Sequence, residues 1–146
     1  MKKILLALMM FCSLSSFSIP PANDVNEKVL KAFNETFTDA KEVTWSEYDS
    51  YYEVKFKQSE VSARLKYDQE GNVIEAYRYY QEQQLPPYVL CRLKKKYADK
   101  KVFGITEVTK ESGFEYFITL EDDQHWYTVR SDSFGNLDLQ KKFKKA

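Results

Sequence analysis

The feature that most constrains this chain is that it says the same thing twice. Asp68-Gln69-Glu70-Gly71-Asn72 is matched by Asp132-Ser133-Phe134-Gly135-Asn136, with Asp, Gly and Asn at identical spacing. Each run lies between two segments that alternate apolar and polar residues. In that setting an Asp-x-x-Gly-Asn run reads as a hairpin turn, with Gly supplying a positive φ at no steric cost. The match extends well beyond the turns. Val29, Leu30, Phe33 and Phe37 recur as Val89, Leu90, Leu93 and Tyr97, and Val43 and Trp45 recur as Phe103 and Ile105. Further on, Tyr52, Val54 and Phe56 recur as Tyr116, Ile118 and Leu120, while Val61, Ala63 and Leu65 recur as His125, Tyr127 and Val129. The chain therefore reads as two copies of one supersecondary unit.

Within the unit, the hydrophobic period changes once. Val25, Val29, Leu30, Phe33 and Phe37 form one apolar helical face, with Asn23 or Asp24 as the expected cap. A period of two follows through Val43–Trp45, Tyr52–Phe56, Val61–Tyr67 and Val73–Tyr80, which predicts four hairpin-connected strands. Gln81-Glu82-Gln83-Gln84 reads as a polar linker, and Leu85-Pro86-Pro87 as the start of the second helix. Four extra residues in the second copy fall within Glu107–Gly113 and predict a longer turn there. The expected fold class is α+β, a tandem of two units, each one helix packed on a four-stranded antiparallel meander sheet. The expected division is 25–84 for the first unit and 85–146 for the second.

The N-terminus is of another kind. Lys2 and Lys3 precede the apolar run Ile4–Phe11, and Ser16 and Ser18 provide a small-x-small end. This is the pattern of a secretory signal peptide over 1–18, followed by a loose lead-in over 19–24. It places the protein in the periplasm or outside the cell. Met9-Met10-Phe11 before Cys12 is a poor match to a lipidation signal, so membrane anchoring is not expected. Without the leader, 20 basic residues face 22 acidic ones, a balance that argues against a nucleic-acid partner. Cys91 is then the one cysteine left, so no internal disulfide is expected and stability must come from the core.

An exported tandem of helix-plus-four-strand units resembles the PepSY-like, β-lactamase-inhibitor-protein-like family of bacterial envelope proteins. The residues that carry the resemblance are Phe37–Trp45, Tyr52-Glu53-Val54-Lys55-Phe56, Tyr67-Asp68 with Gly71, and Leu85-Pro86. The resemblance implies a long two-unit sheet with an aromatic-rich open face and an inhibitor-like binding role. Fold by itself does not establish that role.

Strand parity locates a candidate site. If Val54, Phe56, Ala63 and Leu65 face the helix, the opposite parity includes Tyr51, Arg64, Lys66, Arg78 and Tyr80 in the first unit. In the second it includes Phe117, Trp126, Thr128 and Arg130. Aromatic residues interleaved with Arg are the composition of an interface core, which makes Tyr51, Arg64, Arg78, Tyr80, Phe117, Trp126 and Arg130 the candidate partner-binding set. The competing explanation is that aromatics favour strands and shield them through cross-strand pairs. A second functional class, a small-molecule carrier or sensor of the envelope, would use aromatics lining a groove between sheet and helices. Cys91 falls opposite the apolar face of its helix and is expected to be exposed. His125 with Glu121, Asp122 and Asp123 matches no metal-ligand spacing and reads as a turn. No phosphate loop, nucleophile elbow or metal motif is present in the sequence, and the chain is expected to be non-enzymatic, without metal or cofactor.

Overall fold

The computed structural model describes residues 25–146. The proposed leader, Cys12, the lead-in and the caps proposed at Asn23 or Asp24 lie outside the described residues. Two helices, α1 (Glu27–Thr36) and α2 (Pro87–Lys96), each precede four strands. These are β1 (Lys41–Glu47), β2 (Tyr52–Gln58), β3 (Val61–Tyr67) and β4 (Val73–Tyr80) in the first unit. The second unit contains β5 (Lys101–Lys110), β6 (Gly113–Glu121), β7 (His125–Asp132) and β8 (Leu137–Lys144). All eight form one antiparallel sheet in sequence order. The cap of α1 is Asn26, whose side chain accepts from the Lys28 backbone N–H. Between the units, Glu82–Gln84 forms a single 3-10 turn, closed by Gln84 accepting from the Gln81 N–H.

Both helices lie on the same face, called the inner face here. Under α1, Val29 and Phe33 pack on Trp45, Val54, Phe56, Leu65 and Tyr67. Phe33 sits 5.1–5.4 Å from the ring centroids of Phe37, Trp45 and Phe56. Under α2, Val89 and Leu93 pack on Ile105, Ile118, Leu120 and Val129. These are the positions at which the repeat keeps an apolar residue. Full burial of each contributes about 1.5–3 kcal/mol.

The four extra residues do not make a longer turn. They lengthen the strands: β5 has 10 residues where β1 has 7, and only Glu111-Ser112 connects it to β6. The reason lies across the seam between units. Strand β5 pairs with β4 from Ile105 to Lys110, so the added length supplies the edge on which β4 docks. Each residue paired there satisfies backbone groups that would otherwise be left at a sheet edge.

The two Asp-x-x-Gly-Asn turns are superimposable in their bonding. Asp68 accepts from the backbone N–H of Glu70 and Asn72, each at 2.9 Å, and from the Asn72 side chain at 2.9 Å. Asp132 does the same with Phe134, Asn136 and the Asn136 side chain. These hydrogen bonds favour the charged form and lower both carboxyls from their ordinary range. Gly71 and Gly135 hold φ at +89° and +78°. A Cβ on Gly71 would stand 3.0 Å from the Lys28 carbonyl oxygen, so the turn seats itself under α1 only without a side chain. Gly71→Ala should therefore cost about 1–3 kcal/mol in urea unfolding. Gly104→Ala, at an open position without positive φ, should stay within about 0.5 kcal/mol of the parent.

Candidate functional site

The face away from the helices is the candidate site, and the strand register defines it. Lys55, Arg64, Tyr77, Val108, Glu115 and Asp132 form one row across β2–β7. Ser62, Tyr79, Thr106, Phe117 and Arg130 form the next. Directly paired residues share a face, so each row lies on one side of the sheet.

Five of the seven candidates from the sequence lie on this outer face. Tyr51 stacks on Tyr48 with centroids 4.5 Å apart, and Lys66 Nζ approaches it at 5.3 Å. The Arg64 guanidinium lies 4.0 Å over the Tyr77 ring, with Nε 3.9 Å from buried Glu53. Phe117 is flanked by Thr106 and Arg130. Arg130 pairs with Glu115, which the guanidinium holds below the ordinary carboxylate range. Trp126 meets Phe103 edge-on at 4.9 Å and carries Lys145 Nζ 4.6 Å over its ring.

Arg78 and Tyr80 are on the other face. Their partners across β3 and β5 are the inner-face residues Ala63 and Ile105, and Tyr80 is buried in the second core. The cause is a bulge. Lys66 pairs with Glu75 but Tyr67 pairs with Val73, leaving Ile74 unopposed. A single extra residue reverses the facing of every residue beyond it. Arg78 and Tyr80 instead grip one carboxylate across the seam: Arg78 Nη1 lies 3.1 Å and Tyr80 Oη 2.6 Å from Glu107. Burial is the main cause that raises the Tyr80 phenol, and the bond to Glu107 adds to it.

The same bulge puts Tyr77 and Tyr79 on the outer face, where parity counting from the turn misses them. Phe103, Val108 and Phe143 also belong there, since Phe143 pairs with Trp126 and Val108 with Tyr77. Around Tyr77 the charges on this face neutralise one another in place. Lys66 and Lys110 both hold Glu75, at 2.7 and 3.0 Å. The Lys66 hydrogen bond is the largest of the causes that lower the Glu75 carboxyl to about 2. What remains is a neutral strip of Tyr77, Tyr79, Thr106, Val108 and Phe117, continuing to Trp126 and its neighbours. Eight strands at about 4.8 Å spacing and about 25 Å length give this face roughly 850 Å2 in projection. A standard-size interface takes about 800 Å2 from each partner.

The remaining sequence candidates resolve locally. Cys91 is exposed on α2. Asp122 accepts from the backbone of Gln124 and His125 and from the Tyr127 hydroxyl at 2.5 Å, with His125 Nδ1 at 3.5 Å, so this acidic run caps its own hairpin. Among the described residues, no three His, Cys, Asp or Glu side chains converge as a metal site.

The comparisons with known proteins agree with the fold. The chain belongs to the PepSY-like family, described provisionally as beta-lactamase-inhibitor-like, whose model matches it twice, over 13–75 and 76–138. A BLIP-like protein from Bacteroides fragilis shares the fold at TM-score 0.63 and 17% identity, over 88% of this chain and 89% of that one. A protein from Bacteroides eggerthii, provisionally described as periplasmic, does so at TM-score 0.64 and 15% identity, over 82% and 88%. A DUF2874 family protein from Bacteroides ovatus does so at 0.61 and 20%, over 81% and 86%. No curated protein matches in sequence.

The Glu75 cluster yields a pH prediction. A carboxyl lowered on folding contributes stability above its ordinary value of 4.5 and loses that contribution as pH falls toward about 2. Glu75→Gln should flatten the fall in melting temperature over that acid window. An acid limb identical to that of the parent would show that the Lys66–Glu75–Lys110 set does not act as a unit.

Proposed function

We propose that this is an exported, non-enzymatic binding protein that engages a protein partner with the outer sheet face, including in the manner of an inhibitor. The observation that carries this reading is the neutral aromatic strip on a face that neither α1 nor α2 covers. Large aromatic groups on an open, charge-balanced surface supply the desolvated anchors on which interfaces depend. The family's inhibitor-like description supports a non-catalytic role, and the leader together with the neighbour described as periplasmic supports export. Among the described residues no helix is long and apolar enough to cross a membrane. Within the candidate set, Tyr51, Phe117 and Trp126 are the anchors, and Arg64 and Arg130 orient their surroundings. Replacing Phe117 and Trp126 together with Ala should lower capture of the envelope partner at least about 30-fold, as expected for one hot spot worth 2 kcal/mol or more. The melting temperature should fall only a few degrees. Loss of folding instead would mark these residues as core and remove the reading.

One observation favours a second reading, a carrier or sensor of a small apolar molecule. On the inner face beside α1 an open recess of about 430 Å3 is floored by Phe56, Ala63, Leu65 and Ala76, with Phe37 as a wall and Arg78 at its rim. That volume lies in the range of ligand pockets. Ala76→Phe should abolish uptake of an apolar fluorophore while leaving partner capture intact. Equal uptake by parent and variant would dismiss the recess.

A further inference from the structure

Six cations at one margin of the second unit have no carboxylate partner among the described residues. Arg92, Lys95 and Lys96 come from one side of α2, and Lys141, Lys142 and Lys144 from β8. Both groups border β8, the helix cations at its start and the lysines toward its end. Arg92 donates to the Phe134 carbonyl at 2.9 Å and Lys96 to the Leu137 carbonyl at 2.9 Å, so both ammonium and guanidinium keep their charge unbalanced at the β8 margin. Lys142 Nζ lies 5.4 Å from the Tyr127 ring, on the inner side toward the helix. Many cations elsewhere pair with acids: Lys28 with Glu70, Lys57 with Glu42, Lys94 with Glu82, Lys101 with Glu121.

The repeat supplies an internal control. At the positions matching Arg92, Lys95 and Lys96, the first unit has Ala32, Glu35 and Thr36, so the unit fold does not require the charges. Lysines on β8 guard an edge strand against another chain, a device that accounts for Lys141, Lys142 and Lys144. It does not account for the helix cations, nor for Phe134. Phe134 stands at the tip of the turn beside Arg92, 75% exposed, where the first unit has Glu70 in an ion pair. Tyr88, about half exposed, donates to the neighbouring Ser133 carbonyl.

We propose that this margin docks the protein on an anionic, phosphate-bearing lipid surface, with Phe134 entering the headgroup layer and the five cations on the helix side, Arg92, Lys95, Lys96, Lys142 and Lys144, facing the phosphates. The charge complementarity is that of a polybasic surface patch, and the exposed aromatic at a turn tip is what separates a lipid surface from an acidic protein. The outer sheet face remains free, so docking and partner capture are independent.

The test uses the chain without residues 1–18, which keeps every described element of the fold, from 27 to 144. It is sedimented with vesicles of phosphatidylcholine alone or containing phosphatidylglycerol. Binding is expected only to the anionic vesicles and should collapse in about 0.5 M salt, where screening lengths fall to a few ångströms. Lys95→Gln with Lys142→Gln should weaken it about 25-fold, about five-fold per lysine. Phe134→Glu, the repeat's own alternative, should weaken it further without lowering the melting temperature. Equal binding to neutral vesicles, no binding by the parent, or binding indifferent to these changes in folded variants would each overturn the proposal. So would polyglutamate displacing the vesicles while Phe134→Glu has no effect, which would assign the margin to an acidic protein.

Discussion

The rest of the structure depends on the seam between β4 and β5. A helix and four strands of about 60 residues bury only about 60% of the surface their unfolded chain exposes, which leaves such a unit marginal. Pairing six residues of β4 with six of β5 turns two such units into one eight-stranded sheet. The Glu107 carboxylate, held by Arg78 and Tyr80, fixes the register of that joint. Tyr80 belongs to the first unit by sequence and to the second core by packing, and Val61 leans on that core as well. The joint also makes the outer face continuous. Without it Tyr77 and Tyr79 would be the exposed margin of one sheet and Phe117 the interior of another.

The two turns show one local solution serving two environments. Asp68 and Asp132 organise their loops with the same set of accepted hydrogen bonds, and Gly71 and Gly135 occupy the same backbone region. The docking differs. The first turn is tied to α1 through Asn26 and the Lys28–Glu70 pair, whereas the second is gripped by Tyr88 and Arg92. What the turn supplies is therefore geometry, and what each unit makes of it depends on the helix above.

How much of the site was legible follows from where the bulges fall. Tyr51, Arg64, Phe117, Trp126 and Arg130 were assignable because β2, β3, β6 and β7 pair without interruption between them. Arg78 and Tyr80 were misplaced because Ile74 has no partner and no residue type announces that. One signal was available. Counting inward from Val73 puts Glu75 and Tyr77 against the core and leaves Ala76 facing water, which inverts the hydrophobic preference of that pair. Phe103 escaped notice for the same reason, since β5 slips between Val102 and Gly104.

The sequence by itself determined the unit, its repetition, the positions of its turns and the family, because those rest on short-range chemistry: periods of 3.6 and 2, an Asp that closes its own turn, a Gly free to take positive φ. Only the tertiary structure decided that the extra residues of the second unit lengthen strands, that the two sheets are one, and which face Tyr77, Arg78, Tyr79 and Tyr80 present. Those outcomes depend on hydrogen-bond register between strands remote in the chain, where a shift of one residue costs little locally and reverses a whole face.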